Sequence, residues 1–154
     1  MQLDTLLELL RGGHAHATFA DAVKNLPFDK TGIRPRGLPY SAWELVEHMR
    51  IAQNDILRFS REPDYASPQW PEGYWPASRA PKDEAQWKKS IAAFRRDLTA
   101  FERLLGERAT EIDKPFPWGQ GQTLFREALL IADHNSYHIG QLVLLRRLLD
   151  AWKG

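Results

Sequence analysis

Three stretches of this chain repeat apolar residues every three or four positions. The first runs Leu45, Met49, Ala52, Ile56, Phe59. The second runs Trp87, Ile91, Phe94, Leu98, Phe101, Leu105. The third runs Leu124, Ala128, Ile131, Asn135, His138, Leu142, Leu145, Leu149. A helical turn of about 3.6 residues stacks such positions on one face, whereas a half-buried strand alternates every second residue. No strand-like alternation competes with these seams. Helices with one apolar stripe must bury it against one another, so the expected fold is all-α: an antiparallel four-helix bundle. At 154 residues, a single domain over 1–154 is expected, large enough for a core without staples.

Short polar residues, glycines and prolines divide the seams. Residues 3–11 read as a helix that stops at Gly12-Gly13, since each glycine inside a helix costs about 1 kcal/mol. A second short piece starts near Thr18, with Asp21 as its capping partner, and ends at Leu26-Pro27. Residues 27–40 form a loop. Ser41 then opens the clearest helix: Glu44 completes a capping box, and Tyr40 and Leu45 stand where a hydrophobic staple would. That helix should reach about Arg61. Asp83 opens the next, with Gln86 as its box partner and Gly106 in the place of a C-cap, and the last should run from about Thr123 to Trp152. Between the second and third helices of the expected bundle lies segment 62–81, which holds half of the 10 prolines with Trp70, Trp75, Tyr65 and Tyr74. Nothing so rich in proline is a helix or a central strand. Its aromatics need packing partners, so it reads as a long ordered loop across one end of the bundle, either a plain cover or a substrate wall.

Composition removes several classes of function. The chain has no cysteine, which excludes disulfides, thiolate metal sites and a cysteine nucleophile. With 21 Lys+Arg against 20 Asp+Glu, the net charge of +1 and the lack of a basic stripe give no reason to expect a nucleic-acid partner. No stretch approaches the ~20 apolar residues of a membrane span. The N-terminal MQLDTLLELLRGG has no basic lead and an acid within its apolar run, unlike a secretory signal. A cytoplasmic location, with no membrane partner, is therefore expected.

The chemistry gathers on the third seam. It is apolar at both ends and polar at Asn135 and His138, and His134 lies one turn before His138 on the same side. Buried polar groups need partners, so something must meet this waist. Two histidines four apart on a helix form a bidentate metal site, or else two core imidazoles bonded to neighbours such as Asn135 or Tyr137. His48 borders the Leu45/Ala52 seam and is a candidate third ligand, although spacing alone does not set its height. Glu127 and Gln141 lie seven residues from His134, Asp55 lies seven from His48, and Glu44 one turn before it. These four are candidates to orient a ligand or act as a base, against the plainer role of a solvated helix face. His14 and His16 flank the glycine break, where they either bend toward the site or stay exposed. Trp70, Tyr74 and Trp75 either wall a pocket or plug the end of the core.

The segments SAWELVEHMRIAQNDIL around His48 and DHNSYHIGQLVLLRR around His134 and His138 resemble the paired motifs of the DinB-like (damage-inducible, YfiT-like) superfamily. GGHAHATFADAVKNLP and PDYASPQWPEGYWP resemble one branch of it, and the likeness extends over nearly the whole chain. The resemblance implies a four-helix bundle with a histidine triad on a divalent metal, carried here by His48, His134 and His138. Metal identity stays open among Zn, Ni, Fe and Mn. Characterised relatives are thiol-dependent transferases and isomerases that use low-molecular-weight thiols such as mycothiol or bacillithiol, with the metal activating the thiol. The resemblance therefore implies a metal-dependent S-transferase or a hydrolase acting on a small-molecule substrate. The alternative is a non-catalytic, metal-stabilised binding or stress-response protein. A homodimer is expected in either case.

Overall fold

The first amides of a helix have no partner within it, and short polar side chains take several of them here. The computed structural model describes residues 2–152, which are helical in five places: α1 (Gln2–Arg11), α2 (Phe19–Val23), α3 (Ala42–Arg61), α4 (Glu84–Glu107) and α5 (Leu124–Leu148). Single 3₁₀ turns lie at Phe28–Lys30 and Glu72–Tyr74. Before α3, Ser41 Oγ accepts from the Glu44 amide at 3.2 Å and the Glu44 carboxylate accepts from the Ser41 amide at 2.7 Å. Thr18 and Asp21 make the same reciprocal pair ahead of α2. Thr123 Oγ1 takes the Arg126 amide at the start of α5. Asp83 takes the Gln86 amide at 2.7 Å, but the Gln86 side chain bonds the Lys82 amide and not that of Asp83. The expected box on α4 is thus open by one residue.

Helix ends differ from the sequence expectation where local backbone intervenes. Gly12 and Gly13, at φ 69° and 93°, do end α1. Helix α2 stops at Val23, short of Leu26-Pro27, because Asn25 turns to φ 55°. Helix α4 runs through Gly106 to Glu107, and the Arg108 amide closes it on Leu104 O at 3.1 Å. Helix α5 ends at Leu148 and not at Trp152. Asp150 takes φ 51°, the Ala151 amide bonds Arg146 O at 2.8 Å, and the Asp150 amide bonds Arg147 O at 3.1 Å, a Schellman closure. The Arg146 guanidinium, 3% exposed, donates to the carbonyls of Ala151, Ala22 and Asp21. One side chain therefore ties the last carbonyls of α2 to the chain just beyond α5.

The seams meet as their spacing requires. Helix α3 packs on α4 and α5, α1 packs on the same two, and α2 packs on α5. Two apolar clusters result. One gathers Phe19, Trp43, Leu45, Met49, Trp87, Phe94, Leu142 and Leu145; the other gathers Leu6, Leu57, Phe101, Leu105, Leu124, Ala128 and Ile131. Phe94 and Phe101 are almost wholly buried, and truncating a phenylalanine so placed costs about 3–5 kcal/mol. Polar side chains of α3 and α5 form the waist, and Gln53, Asn135, His48 and His138 are all buried there. Among the described residues, no helix is long and apolar enough to cross a membrane.

Candidate metal centre

His48 comes from the buried face of α3, and His134 and His138 come from successive turns of α5. The height of His48, open in the sequence, matches the waist of α5. His48 Nε2 lies 3.0 Å from His134 Nε2, and each of the three rings offers a nitrogen within 4.8 Å of the others. Ring centroids are 4.9, 4.6 and 4.5 Å apart. His48 and His138 are only 4% and 7% exposed, and His134 is half-buried.

The outward nitrogens have acceptors. His48 Nδ1–H donates to the carbonyl of Tyr74 at 2.8 Å, and His138 Nδ1–H donates to Gln141 Oε1 at 2.7 Å. Both rings therefore turn a bare Nε2 inward, the state a metal ligand requires. The Tyr74 carbonyl is itself anchored, since the Tyr74 phenol donates to Asp55 Oδ2 at 2.7 Å, on the same helix as His48. The next residue, Trp75, stacks flat on His48 with centroids 4.0 Å apart and an interplanar angle of 6°. The 3₁₀ turn that presents Tyr74 folds tightly on Pro68: a Cβ at Gly73 would stand 2.7 Å from Pro68 Cβ, so only glycine fits.

Burial holds all three imidazoles neutral. It pushes the His134 pKa down to about 4, with the nearby His138 and His48 adding to the shift. Burial also lowers His48 and His138, against opposing hydrogen bonds to Tyr74 O and Gln141. Three neutral nitrogen donors converging on one point suit a borderline divalent cation such as zinc, and three protein ligands leave coordination positions open.

The other sequence candidates separate clearly. Gln141 bonds a triad ring directly. Asp55 reaches the triad only through Tyr74. Glu44 bonds Ser41 and the Arg34 guanidinium, and so serves the start of α3. Glu127 is 3% exposed and bonds Arg126 at 2.5 Å; burial raises its carboxyl, and the Asp55 charge adds to that. His14 and His16 are exposed and stand outside the triad, and His16 Nε2 lies 3.1 Å from Ser136 Oγ on α5. Of the loop aromatics, Tyr74 and Trp75 reach His48, whereas Trp70 is 70% exposed, with its ring 5.4 Å from that of Tyr74. The Tyr74 carbonyl had no sequence signal, because a main-chain acceptor looks alike in every residue. The Gln53–Asn135 bond at 2.9 Å had a weak one, a glutamine beside the Ala52 seam.

An all-helical protein with three convergent imidazoles on two of its helices is the class this fold and site define. A family model described as the DinB superfamily matches residues 13–142, a span that includes all three histidines, and the chain belongs to that superfamily. Among curated proteins and among solved structures, none matches the chain significantly.

Proposed function

We propose that this protein is a metal-dependent enzyme whose divalent ion is held by His48, His134 and His138. The observation that carries the reading is the convergence of three neutral ring nitrogens, two of them backed by fixed acceptors on Nδ1. An ion held there would supply Lewis acidity, lowering the pKa of a thiol or water beside it. The chain's own residues do the rest. Tyr74 and Gln141 orient the rings, Trp75 covers the face of His48, and the apolar clusters on either side limit water. Any thiol used would be a cosubstrate, since the chain has no cysteine; an S-transferase using a low-molecular-weight thiol is the first activity to test, and hydrolysis of a small-molecule substrate the second.

The bundle reading goes with the site. His48 meets His138, whereas Asp55, further along α3, acts on Glu127, earlier in α5. Numbering falls along α5 as it rises along α3, as in an antiparallel pair, with α1 and α4 completing the four. Helix α5 is also apolar outside, with Leu130, Tyr137, Leu144 and Leu148 between 37% and 64% exposed. This stripe supports a homodimer, and it is the observation that favours the non-catalytic, metal-stabilised alternative.

Metal analysis of tag-free protein tests the site: roughly one divalent ion per chain is expected, and only traces would overturn it. A screen of loaded protein with thiols plus electrophiles, beside esterase and phosphatase substrates, tests the activity. Inactivity in every arm, with metal bound, would favour the binding protein. Light scattering should give twice the chain mass if the α5 stripe pairs.

A further inference from the structure

The hydrogen bonds of the waist leave one acceptor over and one imidazole in the wrong tautomer for a ligand. Gln53 Nε2 donates to Phe94 O at 2.7 Å, and Asn135 Nδ2 donates to Gln53 Oε1 at 2.9 Å. These two bonds fix which way the Asn135 amide faces. Its Oδ1 is then buried without a hydrogen bond, in a side chain only 5% exposed. A buried acceptor left unpaired costs about 1–3 kcal/mol, so its orientation calls for a reason. The adjacent residue is His134, the one ring of the triad whose second nitrogen has no acceptor among the hydrogen bonds described above.

His134 is the exception in the triad. His48 carries its proton on Nδ1, toward Tyr74 O, so its Nε2 is a bare acceptor. His134 Nε2 stands 3.0 Å from that bare nitrogen, and a hydrogen bond between the two rings needs the hydrogen on His134 Nε2. His138 already has its proton outward, on Gln141. For His134 to offer Nε2 as its neighbours do, its proton must leave Nε2 and one must be taken up at Nδ1, with no change in the charge of the ring.

We infer that Asn135 Oδ1 is the acceptor kept for His134 Nδ1–H, which makes Asn135 the positioning residue that sets the ligating tautomer of His134, with Gln53 and Phe94 O holding its amide in place. The inference rests on the proposed metal site. Each ring of the triad then has its own outward acceptor: Tyr74 O for His48, Gln141 Oε1 for His138 and Asn135 Oδ1 for His134.

The test uses zinc as the probe, with calorimetric titration and long-range ¹H–¹⁵N NMR of the histidine rings. In wild type, His134 should carry its proton on Nε2 without zinc, and on Nδ1, protected from solvent exchange, with zinc. Asn135→Leu should weaken zinc binding by roughly 10- to 100-fold, as loss of such an outer partner does, and should leave the His134 Nδ1 proton in rapid exchange. Asn135→Asp, which keeps an oxygen at that place, should restore binding to within about tenfold of wild type. Gln53→Leu, which frees the amide to rotate, should reproduce part of the loss and guards against an Asn135→Leu chain that does not fold. Wild type that binds no zinc would overturn the metal site and this inference together. Wild type that binds zinc, with His134 protonated on Nε2 or with Asn135→Leu binding equally well, would overturn this inference alone.

Discussion

Gln53 and Asn135 meet across α3 and α5 through one amide bond of 2.9 Å, and His48 meets His134 and His138 across the same two helices. Both groups are polar and both interrupt an apolar interior, yet their hydrogen bonds point in opposite senses. The amides turn their donors inward, Asn135 onto Gln53 and Gln53 onto Phe94 O. The imidazoles of His48 and His138 turn their donors outward, to Tyr74 O and Gln141, and leave lone pairs facing the centre. Amides that bond one another and the main chain contribute stability and register, whereas ring lone pairs that converge offer a ligand set. The difference separates a bracing pair from a candidate metal centre within a single waist, with Asn135 Oδ1 left over between them.

The largest effect expected is on the imidazole side. His134→Ala with His138→Ala should abolish metal uptake, read by elemental analysis, while the amide pair keeps the chain folded. Retained metal would place the ion elsewhere.

Acid should come next, and of the two clusters should act on the imidazoles and not on the amides. All three rings have folded-state pKa values below the ordinary 6.5, with His134 at about 4. Their neutral forms therefore favour the folded state. That stability is complete above pH 6.5 and is lost as pH falls through the folded values toward 4. Thermal melts of metal-free protein should drop steadily over this window. Melts that stay flat for wild type, or fall equally for the double histidine variant, would deny the imidazoles this role.

Gln53→Ala probes the other cluster. It strands the Asn135 amide and removes the extra bond to Phe94 O, and should lower unfolding stability by about 1–3 kcal/mol in denaturant titrations. Roughly one metal ion per chain should still bind at saturation. A chain that keeps its stability but no longer takes up metal would reverse the assignment of the two clusters.

The smallest change is expected from Gln141→Leu, which removes the acceptor of His138 at the half-buried edge of the site. Metal affinity should fall by roughly tenfold, at the lower end for lost outer partners, with little change in stability. An unchanged affinity would show that water replaces Gln141.

Much of this protein was legible in its sequence because helical periodicity and capping are local. The 4-3 seams named many of the residues in both apolar clusters, and Ser41 with Glu44 marked the start of α3 to the residue. His134 and His138 were readable as a pair because a helix alone sets their spacing. Helix ends were less legible at Asn25 and Asp150, where non-glycine residues adopt positive φ, a conformation that helical periodicity does not signal. His48 could be named as a candidate but not placed, since its height depends on how far α3 slides against α5. That register, the carbonyl that Tyr74 turns onto His48, and the orientation of Asn135 through Gln53 join residues from 26 to 86 positions apart. Hydrophobic pattern decides which face of a helix is buried, but only packed tertiary structure decides which polar atoms then meet, because hydrogen bonds act over a few ångströms and depend on direction.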